Sequence, residues 1–250
     1  MTLNLHLLAN HNNSYKYNFS NKIVLVTGGT GALGRSITKA FLKSNATVIS
    51  SYHSDKETSQ TQTENKPSVQ LFKANVTNEE EVEKLVSNIL DKYGRIDILV
   101  NVVGAYLGGK AIVELEEKEW DMMMTVNLKS AFLISKHVTR HMISSKYGKV
   151  IHISSKIGLH SEGYDSAYAA SKSGLIRLVE SLSIETKESN INVNCIMPTI
   201  INTEANRKAM PNADFNKWVK PEDLANVILF LSSEEAKTIT GAAIPTFGIS

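Results

Sequence analysis

From Lys22 onward, short and nearly continuous apolar runs alternate with longer stretches of helical spacing. Ile23-Val24-Leu25-Val26 is apolar throughout and runs into glycines, as a strand buried on both faces does. The same reading predicts further strands over 46–51, 69–74, 96–102, 149–154, 191–197 and 241–246. Helical spacing covers 32–44, 78–93, 118–145, 165–188 and 221–231. Asn78 is placed to cap its helix, with Glu79, Glu80 and Glu81 on the positive N-terminal end. Repeated strand–helix alternation implies right-handed crossovers, hence an α/β fold with a doubly wound parallel sheet of about seven strands and helices on both faces. No internal repeat or linker divides 21–250, which reads as a single domain. Two stretches break the rhythm. Residues 53–66 contain no apolar side chain and cannot pack as a full amphipathic helix. Residues 198–220 form a long insertion, of the kind that is usually functional or disordered.

Composition narrows the classes. The 250 residues carry 27 Lys+Arg against 25 Asp+Glu, a net charge of +2, with 42% apolar and 21% charged residues. A domain of this size buries its own core. The near-neutral charge argues against a dedicated nucleic-acid binder. Cys195 is the only cysteine, so an intrachain disulfide is excluded and a reducing compartment fits. No apolar run approaches the roughly 20 residues of a membrane span. Residues 1–20 read as a polar, Asn-rich, mobile arm. Its apolar patch at 3–9 has no basic stretch before it, unlike a signal peptide. The expected location is cytoplasmic, without a membrane partner.

Chemistry first shows at the turn Thr27-Gly28-Gly29-Thr30-Gly31-Ala32-Leu33-Gly34, between the first strand and the first helix. Small residues there let the backbone approach a pyrophosphate, and the helix N-terminus offers free N–H groups. The bland alternative is a tight turn without a ligand, but three glycines at such a junction sacrifice backbone entropy for no packing gain. Cofactor choice is read about twenty residues on, where an acid would hold a ribose 2′-OH. The stretch Ser50-Ser51-Tyr52-His53-Ser54 has no acid and lies near Lys56. That favours a 2′-phosphate, hence NADP, with NAD as the alternative.

Tyr168 and Lys172 stand four residues apart on one helix face. An ammonium beside a phenol favours the phenolate and makes Tyr a usable general acid/base. Alone, such a pair is more often a solvated helix face. Here Ser155 stands thirteen residues earlier, just past the fifth strand, where ligands of such sheets bind. A hydroxyl there can donate to an oxygen that gains negative charge. Without the pair, Ser155 would read as a turn or cap serine.

Over about Asn21 to Gly248 the chain resembles the short-chain dehydrogenase/reductase family. The resemblance rests on Thr27-Gly28…Gly34, Asn101-Val102-Val103-Gly104, Asn127, Ser155, Tyr168 and Lys172. It implies a Rossmann-type fold and hydride transfer between a nicotinamide and a small-molecule carbonyl or alcohol. The match to Tyr168 is the proton donor. The match to Lys172 binds the nicotinamide ribose and lowers the Tyr pKa. The match to Ser155 holds the substrate oxygen, and the match to Asn127 supports a water relay. Cofactor contacts are expected at Gly28, Thr30, Gly31, Ala32, Leu33 and Gly34, then at Ser51, Tyr52, Asn75 and Val76. Others are expected at Asn101, Val102, Gly104, Tyr168, Lys172, Pro198, Ile200 and Thr203. Four departures bear on affinity and loop shape. Ala32 replaces the usual middle glycine of the turn, and Asn-Val-Val-Gly stands for Asn-Asn-Ala-Gly. Asn75 replaces the acid after the third strand, and Pro198-Thr199 stands for Pro-Gly.

The insertion from Pro198 to Trp218, with Gly108-Gly109, is also similar to dihydropteridine reductases, which offers pterin reduction as an alternative. Against it, those enzymes lack the serine matching Ser155 and prefer NADH. A third reading is a nucleotide-binding sensor that has lost turnover, but a binding module needs no proton donor. Tyr106, Met210 and Trp218 are candidate substrate contacts, or else pack their loops shut. His137, His141, His152 and His160 show no metal-ligand spacing and read as surface or packed histidines, so no metal is expected. The resemblance implies a homo-oligomer, tetramer or dimer, built on the long helices. Leu175, Ile176, Leu178, Val179, Leu182 and Ile184 form a wider apolar surface than one buried stripe needs. The alternative is packing against a neighbouring helix of the same chain.

Overall fold

A computed structural model describes residues 17–54 and 69–248. Seven parallel strands form one sheet in the order β3-β2-β1-β4-β5-β6-β7. They are β1 (Ile23–Thr27), β2 (Thr47–Tyr52), β3 (Val69–Lys73), β4 (Ile98–Asn101), β5 (Gly148–Ile153), β6 (Ile191–Pro198) and β7 (Ala243–Thr246). The helices are α1 (Ala32–Lys43), α2 (Glu79–Tyr93), α3 (Glu117–Met123), α4 (Ser130–Ser145), α5 (Ser166–Thr186), α6 (Glu204–Ala209) and α7 (Pro221–Ser232). The expected doubly wound, Rossmann-like fold is therefore the observed one.

Alternation along the strands builds two cores. Val24, Val26, Ile98, Val100 and Ile151 pack with Leu33, Ile37, Phe41 and Ile228 from α1 and α7. Leu25, Leu99 and Val150 pack on the opposite face with Val82, Ile89, Ile134 and Ile176 from α2, α4 and α5. Each such side chain contributes about 1.5–3 kcal/mol by burial. This fixes the register, because a one-residue slip would exchange the two faces. Thr27 then pairs with Asn101, and Asn101 with His152, so the strand ends that carry chemistry lie side by side.

Three details differ from the sequence reading. The helix expected over 118–145 is interrupted by a π-helical segment, Met124–Lys129, between α3 and α4. Phe19, placed by sequence in the polar arm, is buried and packs on Phe41 with ring centroids 5.1 Å apart. Residues 1–16, the rest of that arm, and 55–68, most of the polar stretch, lie outside the described residues. The insertion after β6 is partly ordered by α6, whose N-cap Thr203 accepts from the Asn206 N–H at 3.2 Å.

Candidate active site

The β1–α1 turn is shaped by close approach. Gly28 has φ +64°, a left-handed backbone that favours glycine. A Cβ on Gly34 would overlap the Gly28 carbonyl and lie 2.7 Å from Gly29 Cα, so only glycine fits. Gly31 is the N-cap of α1 without a side-chain cap, and the first turn of α1 carries no acid. Its free N–H groups and positive dipole end suit a pyrophosphate. Arg35 braces the turn by donating to the Thr30 carbonyl at 2.8 Å.

Beside this turn lies a pocket of about 300 Å³, where Gly28, Ser51, Tyr52, Asn75 and Val76 converge with His53, Ala74, Thr77, Val103 and Val126. None of these residues is acidic. A second cleft of about 650 Å³ opens beyond the carboxyl ends of β4, β5 and β6. Leu33, Val102, Gly104, Tyr106, Ser155, Tyr168, Lys172, Pro198, Ile200 and Met210 meet there. The turn, the smaller pocket and the cleft thus suit a dinucleotide.

Tyr168, Lys172 and Ser155 are held by β5 and α5. Lys172 Nζ donates to the Ile153 carbonyl at 2.8 Å, while Ser154 Oγ donates to the Lys172 carbonyl at 3.0 Å. A Cβ on Gly158 would lie 2.9 Å from the Lys172 backbone, so Gly158 lets the loop after β5 seat closely on α5. Ser155 Oγ accepts from the Ile157 N–H at 3.3 Å and lines the cleft with Tyr168. Lys172 Nζ stands 5.9 Å from the Tyr168 ring centroid.

Burial holds the Tyr168 phenol above its ordinary value, against the Ser155 hydrogen bond, and the Asp165 charge pushes the same way as burial. Burial also takes the Lys172 ammonium down, to about 8. Behind the site, Thr27 Oγ1 donates to Asn101 Oδ1 at 2.5 Å, and Asn101 Nδ2 lies 3.3 Å from His152 Nδ1. His152 Nε2 is 3.1 Å from Ser135 Oγ. Burial, then the Lys172 charge, pushes this histidine down to about 3, so it stays neutral.

Several of the expected contacts line neither pocket. The Asn101 side chain is occupied inside the sheet by Thr27 and His152. Thr203 serves as a helix cap. Trp218 is buried against Phe215, ring centroids 4.8 Å apart, and does not line the cleft: its loop folds the indole inward. Thr30, Gly31, Ala32 and Gly34 shape the turn without lining either pocket, and Asn127 lies buried behind the cleft. Conversely, Lys156, Ile157, Glu162, Asp165 and Asn206 line the cleft but were not singled out from sequence. Asp165 stands at the N-cap of α5, yet its side chain caps nothing.

Comparison with known proteins agrees with this geometry. The model of the short chain dehydrogenase family matches residues 22–214. The 3-oxoacyl-[acyl-carrier-protein] reductase FabG of Thermotoga maritima is 32% identical over 234 residues, 89% of this chain and 95% of that protein. The NAD-dependent glycerol dehydrogenase of Listeria innocua is 33% identical over 235 residues, 90% and 92% of the two chains. Among solved structures, ElxO with NADP bound superposes with a TM-score of 0.86 at 26% identity, covering 91% of this chain and 97% of that one. The chain belongs to the short-chain dehydrogenase family. It is an NAD(P)-dependent oxidoreductase that interconverts a carbonyl and its alcohol.

Proposed function

We propose that the protein is an NADPH-dependent reductase of a small-molecule carbonyl, with Tyr168 as its proton donor. One observation carries this reading: Ser155, Tyr168 and Lys172 converge on one cleft beyond the strand ends. A bound nicotinamide supplies the hydride. The residues of the chain do the rest. Ser155 and Tyr168 present hydroxyls to the substrate oxygen and stabilise the charge that develops on it. Tyr168, kept protonated by its burial, delivers the proton. Lys172, fixed by the Ile153 carbonyl, presents an ammonium for the nicotinamide ribose hydroxyls. Asn127 supports proton return from solvent.

The preference for NADPH is supported by the acid-free pocket at Ser51, Tyr52 and His53 and by the likeness to a structure with NADP bound. The cofactor named for the Listeria innocua relative points the other way. The protein is further proposed to act in the cytoplasm as a dimer or tetramer. Among the described residues no helix is long and apolar enough to cross a membrane.

Oxidation of NADPH or NADH, followed by absorbance with 3-oxoacyl thioesters, diketones and quinonoid pterins, tests the reading. Turnover on a carbonyl is expected, faster with NADPH, and Ser51→Asp should shift preference toward NADH. Turnover confined to pterins would transfer the assignment to the dihydropteridine reductase alternative. Tyr168→Phe should keep NADPH binding and lose roughly 10²–10⁴-fold in kcat. If it retains more than about a tenth of kcat, Tyr168 is not the donor.

A further inference from the structure

The loop after β4 and the loop before α5 are clipped together over one wall of the cleft. Tyr106 Oη donates to Asp165 Oδ1 at 2.9 Å. The Tyr164 carbonyl accepts from both the Gly109 and Lys110 N–H groups, at 2.9 and 3.2 Å. Tyr164 takes φ +70° to turn that carbonyl inward, a left-handed conformation uncommon for an aromatic residue. A Cβ on Gly108 would overlap Asp165 Oδ1 and the Tyr106 hydroxyl, so the chain passes close over the pair. The clip brings the Tyr106 ring edge-on to Tyr168, with centroids 5.0 Å apart at 84°. Asp165 is buried at the start of α5, yet caps no N–H of the helix. Its hydrogen-bond partner among the described residues is the Tyr106 hydroxyl.

We propose that Tyr106 and Asp165 form a positioning pair for Tyr168: Tyr106 braces the phenol ring and holds the Asp165 carboxylate, and that carboxylate sets how readily the phenol gives up its proton. This rests on the reading of Tyr168 as proton donor. The groups facing Tyr168 are few. Lys172 comes from its own helix, Asp165 from the helix start, and Tyr106 from the loop after β4. Ser155 follows β5, and Lys156 and Glu162 line the same cleft from the loop between β5 and α5. His152 lies behind Lys172 and is neutral. Asp165 is therefore the buried negative charge of the set, and its field opposes the phenolate. A hydroxyl that donates to the carboxylate disperses this charge. Without it, the full charge would act on Tyr168.

Two near-isosteric variants separate this role from simple packing. Phenolate absorbance is titrated in the full chain, each sample referenced to the same chain carrying Tyr168→Phe, so that the difference isolates Tyr168. Asp165→Asn should lower the Tyr168 midpoint by roughly half a pH unit or more. Tyr106→Phe keeps the ring edge, frees the carboxylate and should raise the midpoint by a similar amount. The double variant should return to the Asp165→Asn value, because no charge remains to be held. Shifts of opposite sign establish the pair. Unmoved midpoints, or two shifts of one sign, overturn it. Circular dichroism checks folding, and Asp165→Ser replaces any Asp165→Asn sample that fails to fold. The two readings fail separately. An active Tyr168→Phe removes the proton-donor assignment. An inactive Tyr168→Phe with unmoved midpoints removes only the pair.

Discussion

The Asn127 carboxamide grips Ala105 by both backbone groups: Oδ1 accepts from the Ala105 N–H at 2.9 Å, and Nδ2 donates to its carbonyl at 3.0 Å. The same Nδ2 reaches Ser171 Oγ at 3.1 Å. One fully buried side chain thus ties the helix at Met124–Lys129 to the loop after β4 and to α5, one residue short of Lys172. The π-helical turn at Asn127 is a local widening of the helix, of the kind often found at functional sites.

Removing this grip leaves two backbone groups without their partner. Asn127→Ala should lower the unfolding free energy by roughly 2–4 kcal/mol, since each buried polar group left unsatisfied costs about 1–3 kcal/mol. Urea unfolding of the purified protein measures it. A loss under about 1 kcal/mol would show that water replaces the carboxamide without penalty.

The glycine turn makes a contrasting pair. Gly34→Ala should weaken NADPH binding at least about tenfold and destabilise the fold by about 1–3 kcal/mol, because the new methyl meets backbone rather than a movable side chain. Gly31→Ala has only the Gly28 carbonyl nearby, at 3.4 Å, and should leave stability within about 1 kcal/mol. Thermal melts and fluorescence titration with NADPH distinguish the two. Equal effects at both positions would refute the steric account.

These particulars show why some features were legible in the sequence and others were not. The strands are continuous apolar runs because both faces are buried, so β1, β4 and β5 declare themselves. Tyr168, Lys172 and Ser155 stand at spacings that a helix face and a strand end dictate. The π-turn left no such trace, since apolar residues continue across Met122 to Leu133 and periodicity alone does not reveal one extra residue in a turn. Asp165 was hidden by its position at a helix start, where an acid ordinarily caps. Its partnership with Tyr106 spans 59 residues and exists only once the loops meet. Trp218 was misplaced for the opposite reason: a loop aromatic can face a ligand or fold inward, and its neighbour Phe215 draws it inward.

Lys172 links function to stability through pH. Burial takes its pKa from 10.5 to about 8. Between those values the unfolded chain holds the proton and the folded chain does not. Stability from this group therefore rises as pH rises from about 8 to 10.5, and below about 8 the burial penalty is complete. Lys172→Met removes the charge and keeps the length. The variant should be inactive, and its gain at neutral pH from losing the buried charge, offset in part by the Ile153 carbonyl left without its donor, should fade toward the unfolded lysine value. Denaturation at neutral and alkaline pH tests this. A gain that persists unchanged at high pH would assign the effect to packing instead of charge.

The apolar surface of α5 divides in the structure. Leu175, Ile176 and Val179 enter the core, so part of the breadth seen in sequence is packing within the chain. Leu178 and Leu182 are half-buried, and Ile184 is 67% exposed. On the neighbouring helices, Phe132 and Ile143 of α4 and Trp120 and Met122 of α3 are exposed as well. We propose that a second copy of the chain covers the large apolar side chains exposed on these three helices, by closed symmetry. Light scattering at micromolar concentration should give the mass of a dimer or tetramer. Introducing Phe132→Glu with Ile184→Glu should reduce that mass, because two carboxylates would be desolvated at the contact. The core should be unaffected, since neither side chain contributes to it, and thermal melts of the dissociated protein check this. A wild-type chain that runs as a monomer would leave the exposed residues as ordinary surface.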